Sequence, residues 1–273
     1  MQEPLVSVII PCFNHGKYIF EAVESVLNQS YINVEIIIVN DGSTDNSKEL
    51  IDQIENSKVT IIHTNNNGLS HARNIGINAS NGKYILPLDA DDKIDKIYIT
   101  KAVKILQADN NIGILYGRVW LFGEKNEEWI LEKFSTKSIL FANQIYASAI
   151  FRKDDFILLG GYDKRFCYGW EDWDFWLSII SLKRSVYFID EVVFYYRIIN
   201  NSMVRSMTEL QKKITRQLIY NKHFKLFESL FEDPITLYYD YRYYKNISES
   251  LLNNKIIKMI NFISKKVNTK SVN

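Results

Sequence analysis

The sequence predicts an α/β fold in which a mixed, mostly parallel sheet is flanked by helices and followed by a helical C-terminal extension. Short β-rich segments alternate with segments of helical period through the first 95 residues, an order typical of βαβ units. The predicted strands are apolar at successive positions, as expected when helices cover both faces of a parallel sheet. Polar residues follow these strands, and the carboxyl ends of parallel strands meet at one edge of the sheet.

The first half of the chain contains four predicted strands separated by three helices. Apolar residues recur at helical spacing from Ile19 to Leu27, again around Leu50 to Ile54, and from Leu69 to Ala79. Turn residues end the third helix just before the fourth strand. The predicted strands are residues 5–10, 34–39, 59–63 and 83–88.

The pattern changes after residue 95, where shorter and more aromatic segments appear. A helix includes residues 102–106, and two further helices are predicted at 154–159 and 171–182. From about residue 208 the patterns are helical and polar, so we expect one domain over 1–205 and a helical extension over 206–273. The predicted strands of this half are residues 114–122, 128–134, 186–189 and 192–199.

The composition argues against several classes of protein. The 273 residues contain 33 Lys and Arg against 32 Asp and Glu, a formal charge of +1. This balance argues against non-specific electrostatic binding of nucleic acid. The two cysteines, Cys12 and Cys167, indicate neither a disulfide framework nor a zinc site, and we interpret both as reduced thiols of a cytosolic protein. We find no signal sequence and no apolar run of about 18 residues, so we expect no transmembrane helix.

Three carboxylates follow the fourth predicted strand in the stretch Asp89-Ala90-Asp91-Asp92. Alternate side chains of an extended segment share a face, so Asp89 and Asp91 are expected to point the same way. Crowded carboxylates repel one another unless a cation or hydrogen-bond donors offset their charge. A divalent ion held by one or two carboxylates and by substrate phosphates would do so. The alternative is an acidic turn that caps the next helix.

Two other polar residues each have a binding and a structural interpretation. Asp41 follows the second strand, where its carboxylate could accept the N–H of a pyrimidine ring or form an Asx-type turn before Gly42. Arg73 lies on the third helix, which begins near Gly68 in a stretch whose small residues permit close backbone approach. Its planar guanidinium could contact a base or a phosphate, or it could be a surface arginine.

A second acidic cluster, Glu171-Asp172-Trp173-Asp174, begins a predicted helix. At about 100° per residue, Glu171 and Asp174 share one polar stripe with Ser178 and Ser181, and we expect this stripe to be solvated. Asp172 projects to the apolar side, where a carboxylate is costly unless it is hydrogen-bonded or used in chemistry. An ionised carboxylate at the rim of a dry pocket suits a general base, and the alternative is a buried helix cap.

Two more side chains are candidates for ligand contact. Trp170 precedes the acidic helix and is a candidate for stacking on a sugar ring, whereas we expect Trp173 and Trp176 in the core. Arg197 follows an apolar strand, where it could face a pyrophosphate or lie on the surface.

Five short motifs occur in order between residue 5 and about residue 203. They are Pro11-Cys12-Phe13-Asn14, Asp41-Gly42-Ser43-Thr44-Asp45, the stretch from Gly68 through Ala72-Arg73-Asn74-Ile75-Gly76, Asp89-Ala90-Asp91-Asp92, and Gly169-Trp170-Glu171-Asp172. Each is weak alone, but in this order they resemble the family 2 glycosyltransferases, which have a GT-A fold. The resemblance implies a Rossmann-like nucleotide-binding half over residues 1–95 and an acceptor half over 96–205.

The resemblance also implies a UDP-sugar donor, a divalent ion (Mn²⁺ or Mg²⁺) and inversion of the anomeric centre. Asp91, in the DxD motif, matches the metal ligand and Asp172 the catalytic base, and Arg197 stays a candidate diphosphate contact from its place after the strand. Trp170 and Glu171 match acceptor contacts. The residues that match donor contacts are Pro11, Phe13, Asn14, Asp41, Arg73, Asp89, Ala90 and Asp91.

Three positions depart from the family's pattern. Phe13 stands where a tyrosine is frequent, and Asn40 stands where an aspartate often precedes Asp41. Ile199 stands where many relatives carry a histidine that helps to hold the metal or the diphosphate. Another residue or a water molecule would therefore complete the metal site.

We therefore expect a bacterial, metal-dependent inverting glycosyltransferase that moves a hexose or N-acetylhexosamine from a UDP-sugar to a saccharide hydroxyl. A lipid-linked acceptor in the synthesis of lipopolysaccharide O-antigen, capsule or another surface polysaccharide fits the resemblance. The alternative is a non-catalytic nucleotide-sugar or glycan-binding module of the same fold.

Residues 255–266 are apolar with flanking lysines and could lie on an anionic membrane surface or pack as a helix. We expect a cytoplasmic protein, peripheral on the inner face of the plasma membrane if these residues bind it.

Overall fold

The computed structural model describes residues 3–199, 206–230 and 233–253. The chain divides into two compact units, residues 1–223 and 224–273. The first unit is a mixed sheet with helices packed on it, and the described part of the second unit is helical. The boundary that we predicted after residue 205 stays a prediction.

The first half of the sheet is built from βαβ units, as predicted. Strand β1 is parallel to both of its neighbours, β2 and β4, and β2 is parallel to β3. Every residue of β1 and β4 is buried, because helices cover both faces of a parallel sheet. The elements are β1 (Val6–Cys12), α1 (Gly16–Leu27), β2 (Val34–Asp41), α2 (Ser47–Asp52), β3 (Val59–Thr64), α3 (Leu69–Ala79) and β4 (Tyr84–Pro87).

The second half adds strands in both directions and completes the sheet. Its elements are β5 (Lys93–Ile94), α4 (Tyr98–Ala108), β6 (Ile112–Gly123), β7 (Glu127–Trp129), a 3₁₀ helix (Ser138–Leu140), β8 (Ile150–Arg152), α5 (Lys153–Leu159), α6 (Glu171–Ser181), β9 (Ser185–Ile198) and α7 (Glu209–Lys222). In the second unit the helices are α8 (Phe224–Leu230) and α9 (Pro234–Asn253). The strand order is β3-β2-β1-β4-β8-β6-β9-β5, and β7 pairs with β6 outside this path.

Two predicted strands of the second half are one strand in the structure. Residues 185–198 form β9, which pairs in parallel with β6 along its length. The register shifts where Gly117 pairs with Ile189 and Arg118 pairs with Val192, so Asp190 and Glu191 bulge out of the ladder. The charged pair therefore interrupts the hydrophobic pattern without ending the strand. The strand predicted over 128–134 is also shorter, because β7 ends at Trp129.

Close packing positions the two helices that matter for the site. Gly76 of α3 lies against β1, and a Cβ at this position would be 2.5 Å from Cγ2 of Ile9, so only glycine permits this approach. Helix α6 packs through Phe175 and Trp176, whose ring centroids lie 5.0 and 5.9 Å from that of Phe151 in β8. All three aromatic side chains are fully buried.

None of the helices within residues 3–199, 206–230 and 233–253 is long and apolar enough to span a membrane. The basic apolar segment 255–266, which we considered for membrane contact, lies outside the described residues.

Candidate active site

The ends of β1, β2 and β4 meet at one edge of the sheet, as the predicted topology required. Cys12 of β1 pairs with Asn40 of β2, and the Leu88 amide donates to the Ile9 carbonyl at 2.9 Å. The loops that follow these three strands therefore lie side by side. They contain the first, second and fourth motifs of the sequence analysis.

Asn14 joins the loop after β1 to the loop after β2. Its backbone adopts a left-handed conformation with φ of 58°, and its amide N–H donates to Oγ of Ser43 at 3.0 Å. Its side-chain oxygen accepts the backbone N–H of Thr44 at 2.8 Å and of Asp45 at 3.3 Å. The side chain that the motif match assigned to the donor thus holds two loops of the site together.

Asp41 bonds to a loop distant in the chain, and the Ser43 N–H of the predicted Asx-type turn donates to Oδ1 of Asn40 instead. Its two carboxylate oxygens accept the backbone N–H groups of Asn67 at 3.1 Å and Gly68 at 2.9 Å, and the residue is buried. Gly42 follows with φ of +68°, and a Cβ there would be 2.5 Å from the nitrogen of Asn66. Asp41 therefore fixes the loop that leads into α3.

Arg73 is buried in the middle of the site, so the surface-arginine interpretation is wrong. It is 1% exposed and donates one N–H to Oδ1 of Asp89 at 2.7 Å. Another N–H forms an ion pair with Glu171 at the start of α6, and the guanidinium lies 5.6 Å from the ring centre of Tyr162. Burial alone lowers the pKa of Arg73, but the charges of Asp89 and Glu171 raise it overall.

The contacts of Arg73 connect the two acidic clusters. Asp89 belongs to the stretch after β4, and Glu171 directly precedes Asp172. A single buried cation thus holds the end of β4 and the first turn of α6 together. The helical spacing indicates that Arg73 is buried, because it shares the sheet-facing side of α3 with Gly76 and Ile77. It does not indicate which carboxylates Arg73 pairs with.

Asp91 and Asp92 have different surroundings. Asp92 is 2% exposed and accepts the backbone N–H of Arg197 at 2.7 Å. Burial, reinforced by Asp91 and Asp89, raises the pKa of Asp92 well above its ordinary value. Asp91 lies 3.5 Å from Nδ1 of His15. Burial, opposed by His15 and reinforced by Asp89, also raises the pKa of Asp91.

Arg197 is held by protein groups on several sides. Its Nε donates to the carbonyl oxygen of Asp91 at 2.8 Å, and a terminal nitrogen lies 3.0 Å from a carboxylate oxygen of Glu21. The guanidinium stacks between the rings of Tyr18 and Phe122, with centroids at 4.4 and 4.3 Å. This packing joins the end of β9 to the acidic loop.

Asp172, the candidate general base, has a perturbed pKa. Its side chain is partly buried and accepts hydrogen bonds from Nδ2 of Asn143 at 3.0 Å and from the backbone N–H of Trp173 at 2.8 Å. Burial and the neighbouring charge of Glu171 raise the pKa of Asp172 to about 7, against the opposing effects of Arg73 and the hydrogen bonds. The sequence analysis missed Asn143, which no local pattern indicates.

The prediction of a solvated stripe on α6 is wrong for three of its four residues, since only Ser181 is exposed. Glu171 is 4% exposed, Asp174 1% and Ser178 7%. Asp174 accepts hydrogen bonds from Nζ of Lys222 and pairs with Nε2 of His223, both at 2.7 Å. These two residues lie at the end of α7, which covers this face of α6 and replaces water as the partner of its carboxylates.

The remaining predicted contacts differ in exposure. Phe13 is 43% exposed in the loop after β1, whereas Pro11 and Ala90 are buried. Trp170 precedes α6 in a left-handed conformation with φ of 63°, and its ring packs edge-on against Trp173 at 5.6 Å. Phe13 thus presents its ring to solvent and Trp170 is half-buried, while Pro11 and Ala90 are covered.

Comparisons with known proteins identify the family of the chain. A family model described as glycosyl transferase family 2 matches residues 7–187. GlyG of Streptococcus pneumoniae is 37% identical over 125 residues, which cover 45% of this chain and 41% of GlyG. Chondroitin synthase of Pasteurella multocida is 36% identical over 115 residues, which cover 41% of this chain and 12% of that synthase. The matched regions are thus less than half of either relative.

A solved structure of S. aureus TarS, residues 1–349 in complex with UDP-GlcNAc, has the same fold. The TM-score is 0.66 with 20% sequence identity, over 78% of this chain and 65% of the TarS chain. Because the family model spans most of the chain, this protein belongs to glycosyltransferase family 2.

Proposed function

We propose that the protein is an inverting glycosyltransferase that moves a hexose or N-acetylhexosamine from a UDP-sugar to a saccharide hydroxyl. The observation that supports this best is the buried bridge from Asp89 through Arg73 to Glu171. It brings the acidic strand end next to the helix that carries Asp172. The UDP-GlcNAc bound to TarS supports a nucleotide-sugar donor here.

In this proposal Asp172 is the general base. Its pKa of about 7 makes the carboxylate basic enough to take a proton and still partly ionised at neutral pH. It would accept the proton of the acceptor hydroxyl while that oxygen forms a bond to the anomeric carbon. The bond from that carbon to the diphosphate breaks on the opposite side, which inverts the centre. The hydrogen bond from Asn143 keeps the carboxylate oriented toward the acceptor.

The carboxylates after β4 fit a divalent ion of the kind that the family uses. Asp89 and Asp92 accept hydrogen bonds from Arg73 and from the Arg197 backbone, whereas Asp91 faces His15 in the loop after β1. Among the residues that the structure describes, no three His, Cys, Asp or Glu side chains form a complete metal cluster. Asp91 would hold the ion together with substrate phosphates, as Mg²⁺ sites commonly do. When bound, Mn²⁺ or Mg²⁺ would offset the charge of the leaving diphosphate.

We further propose that the acceptor is a saccharide, lipid-linked in the synthesis of a surface polysaccharide. The similarity to a chondroitin synthase supports a polysaccharide context. The lysine-flanked segment 255–266 would hold the protein at an anionic membrane surface. Flotation with anionic liposomes tests this, and equal flotation of the full chain and a chain ending at Asn253 would exclude that role.

A transfer screen tests the proposed function. UDP-, GDP- and dTDP-sugars are incubated with the protein and Mn²⁺, and release of nucleoside diphosphate is measured with and without saccharide acceptors. We expect release with UDP-sugars, and expect it to be lost in Asp172→Asn but not in Asp190→Asn, whose carboxylate is 88% exposed. UDP-sugar binding without release from any donor would favour the non-catalytic module instead.

A further inference from the structure

His15 occupies an unexpected position beside the acidic loop. It lies between β1 and α1, directly after Asn14, and its imidazole is 34% exposed. Nδ1 of His15 lies 3.5 Å from Oδ1 of Asp91. The imidazole and the carboxylate therefore face each other across the edge where the strand ends meet. Sequence patterns do not indicate this, because the two residues are 76 positions apart.

The three carboxylates of the acidic loop have different partners. Asp89 is bonded to Arg73, and Asp92 accepts the backbone N–H of Arg197. The His15 imidazole, by contrast, lies beside the Asp91 carboxylate, with Nδ1 3.5 Å from Oδ1. An incoming cation would thus meet one carboxylate and one imidazole rather than three carboxylates.

The His15 imidazole is not committed to a structural role. His15 is the N-cap residue of α1, but its side chain makes no capping hydrogen bond. Its backbone carbonyl accepts the Tyr18 N–H at 2.9 Å, which holds the main chain in place. The ring meets that of Tyr18 edge-on at a centroid distance of 6.2 Å. The main chain is therefore fixed, while the ring nitrogens are available to a ligand.

Two described residues at the end of β9, Arg197 and Ile199, do not supply a metal ligand. Arg197 packs between two aromatic rings and is positively charged, and Ile199 has a hydrocarbon side chain. His15 therefore differs from both of them in carrying a nitrogen that can bind a metal ion.

We infer that His15 is a ligand of the divalent ion held by Asp91. This inference rests on the proposed function, in which the ion accompanies the UDP-sugar. Adjacent ligands of an octahedral ion with bonds of about 2.1 Å lie roughly 3.0 Å apart, so the observed 3.5 Å requires only a small closure. Two protein ligands suffice when diphosphate oxygens and water complete the shell. Because an imidazole ligand suits transition metals better than Mg²⁺, His15 should also favour Mn²⁺.

Pulsed electron paramagnetic resonance on the full-length protein with Mn²⁺ and UDP tests this inference directly. We expect a ¹⁴N coupling to Mn²⁺ in the wild type that is absent in His15→Asn. The matched control is His63→Asn, since His63 contacts Asn40 on β2 and Asp52 on α2. This variant should keep the coupling. In titrations with UDP present, His15→Asn should weaken Mn²⁺ binding about tenfold or more and Mg²⁺ binding less.

The outcomes separate this inference from the proposed function. Mn²⁺ that binds with UDP but shows no ¹⁴N coupling in the wild type would overturn the role of His15 and leave the metal-dependent transferase intact. A coupling that persists in His15→Asn would overturn it as well. UDP binding that is unaffected by Mn²⁺ would instead refute the metal site of the proposed function itself. The decisive spectrum is that of the wild-type protein, so the result does not depend on how the variant folds.

Discussion

Replacing Asp172 by asparagine should stabilise the fold at alkaline pH and abolish turnover. The folded-state pKa of Asp172 is about 7, raised from the ordinary value of 3.8. A carboxylate with a raised pKa binds more protons in the folded state than in the unfolded state. Its contribution to stability is therefore fully present below pH 3.8 and is lost as the pH rises through 7. Asparagine does not titrate and escapes this loss.

The size of the effect follows from the two pKa values. With values of 3.8 and about 7, proton linkage predicts that the wild type loses about 2 to 3 kcal/mol between pH 5 and pH 8 through this group alone. The free energy of unfolding of Asp172→Asn, relative to that of the wild type, should therefore increase by this amount from pH 5 to pH 8. The hydrogen bonds from Asn143 and Trp173 favour the ionised carboxylate, and their effect is already contained in the folded-state pKa.

Urea denaturation at pH 5 and pH 8 measures this change. All five tryptophans lie within residues 1–223, so their fluorescence reports the unfolding of the unit that contains Asp172. The exposed variant Asp190→Asn is the control and should behave as the wild type does. In parallel, the turnover of Asp172→Asn should fall by about 10²–10⁴-fold. A stability difference that is independent of pH would refute the raised pKa, and near-normal turnover would refute the role as base.

Three further predictions concern the metal, the buried bridge and the core. Asp91→Asn should remove the gain in UDP affinity that Mn²⁺ provides, and calorimetric titration that shows the gain unchanged would contradict the metal role. Arg73→Met leaves Glu171 buried without its partner and should lower the free energy of unfolding by about 3–5 kcal/mol; a loss under about 1 kcal/mol in urea would argue against the bridge. Trp176→Ala, at a fully buried site, should cost about 3–5 kcal/mol, and full retention of the melting temperature would show that its packing is unimportant.

Much of the fold could be predicted because its signals are local. Helix α3 has the predicted bounds, Leu69–Ala79, since a helical period and its turn residues lie within one short segment. The strands β1 to β4 differ from the prediction by two residues at most at either end. Strand β9 was divided in two because Asp190 and Glu191 resemble a loop. Only the pairing with β6 shows that the strand continues past them.

The location of the site could be predicted, but the partners of its charges could not. Parallel topology alone brings the loops after β1, β2 and β4 together, which placed Asp41 and Asp91 at one edge. The helical period showed that Glu171 and Asp174 share a face of α6, yet it contains no information on what covers that face. Arg73 and His223 cover it from 98 and 49 positions away.

By itself, the sequence determined the βαβ order, the edge of the sheet that carries the chemistry and the family to which its motifs belong. The first two depend on periodicity and on the handedness of the backbone, which act over a few tens of residues, and the family follows from the resemblance of the five motifs. Only the tertiary structure decided which carboxylates are neutralised by protein groups and which one faces an imidazole. Charge pairing depends on distances of a few ångströms between side chains far apart in the chain, and the packing of the helices on the sheet sets those distances.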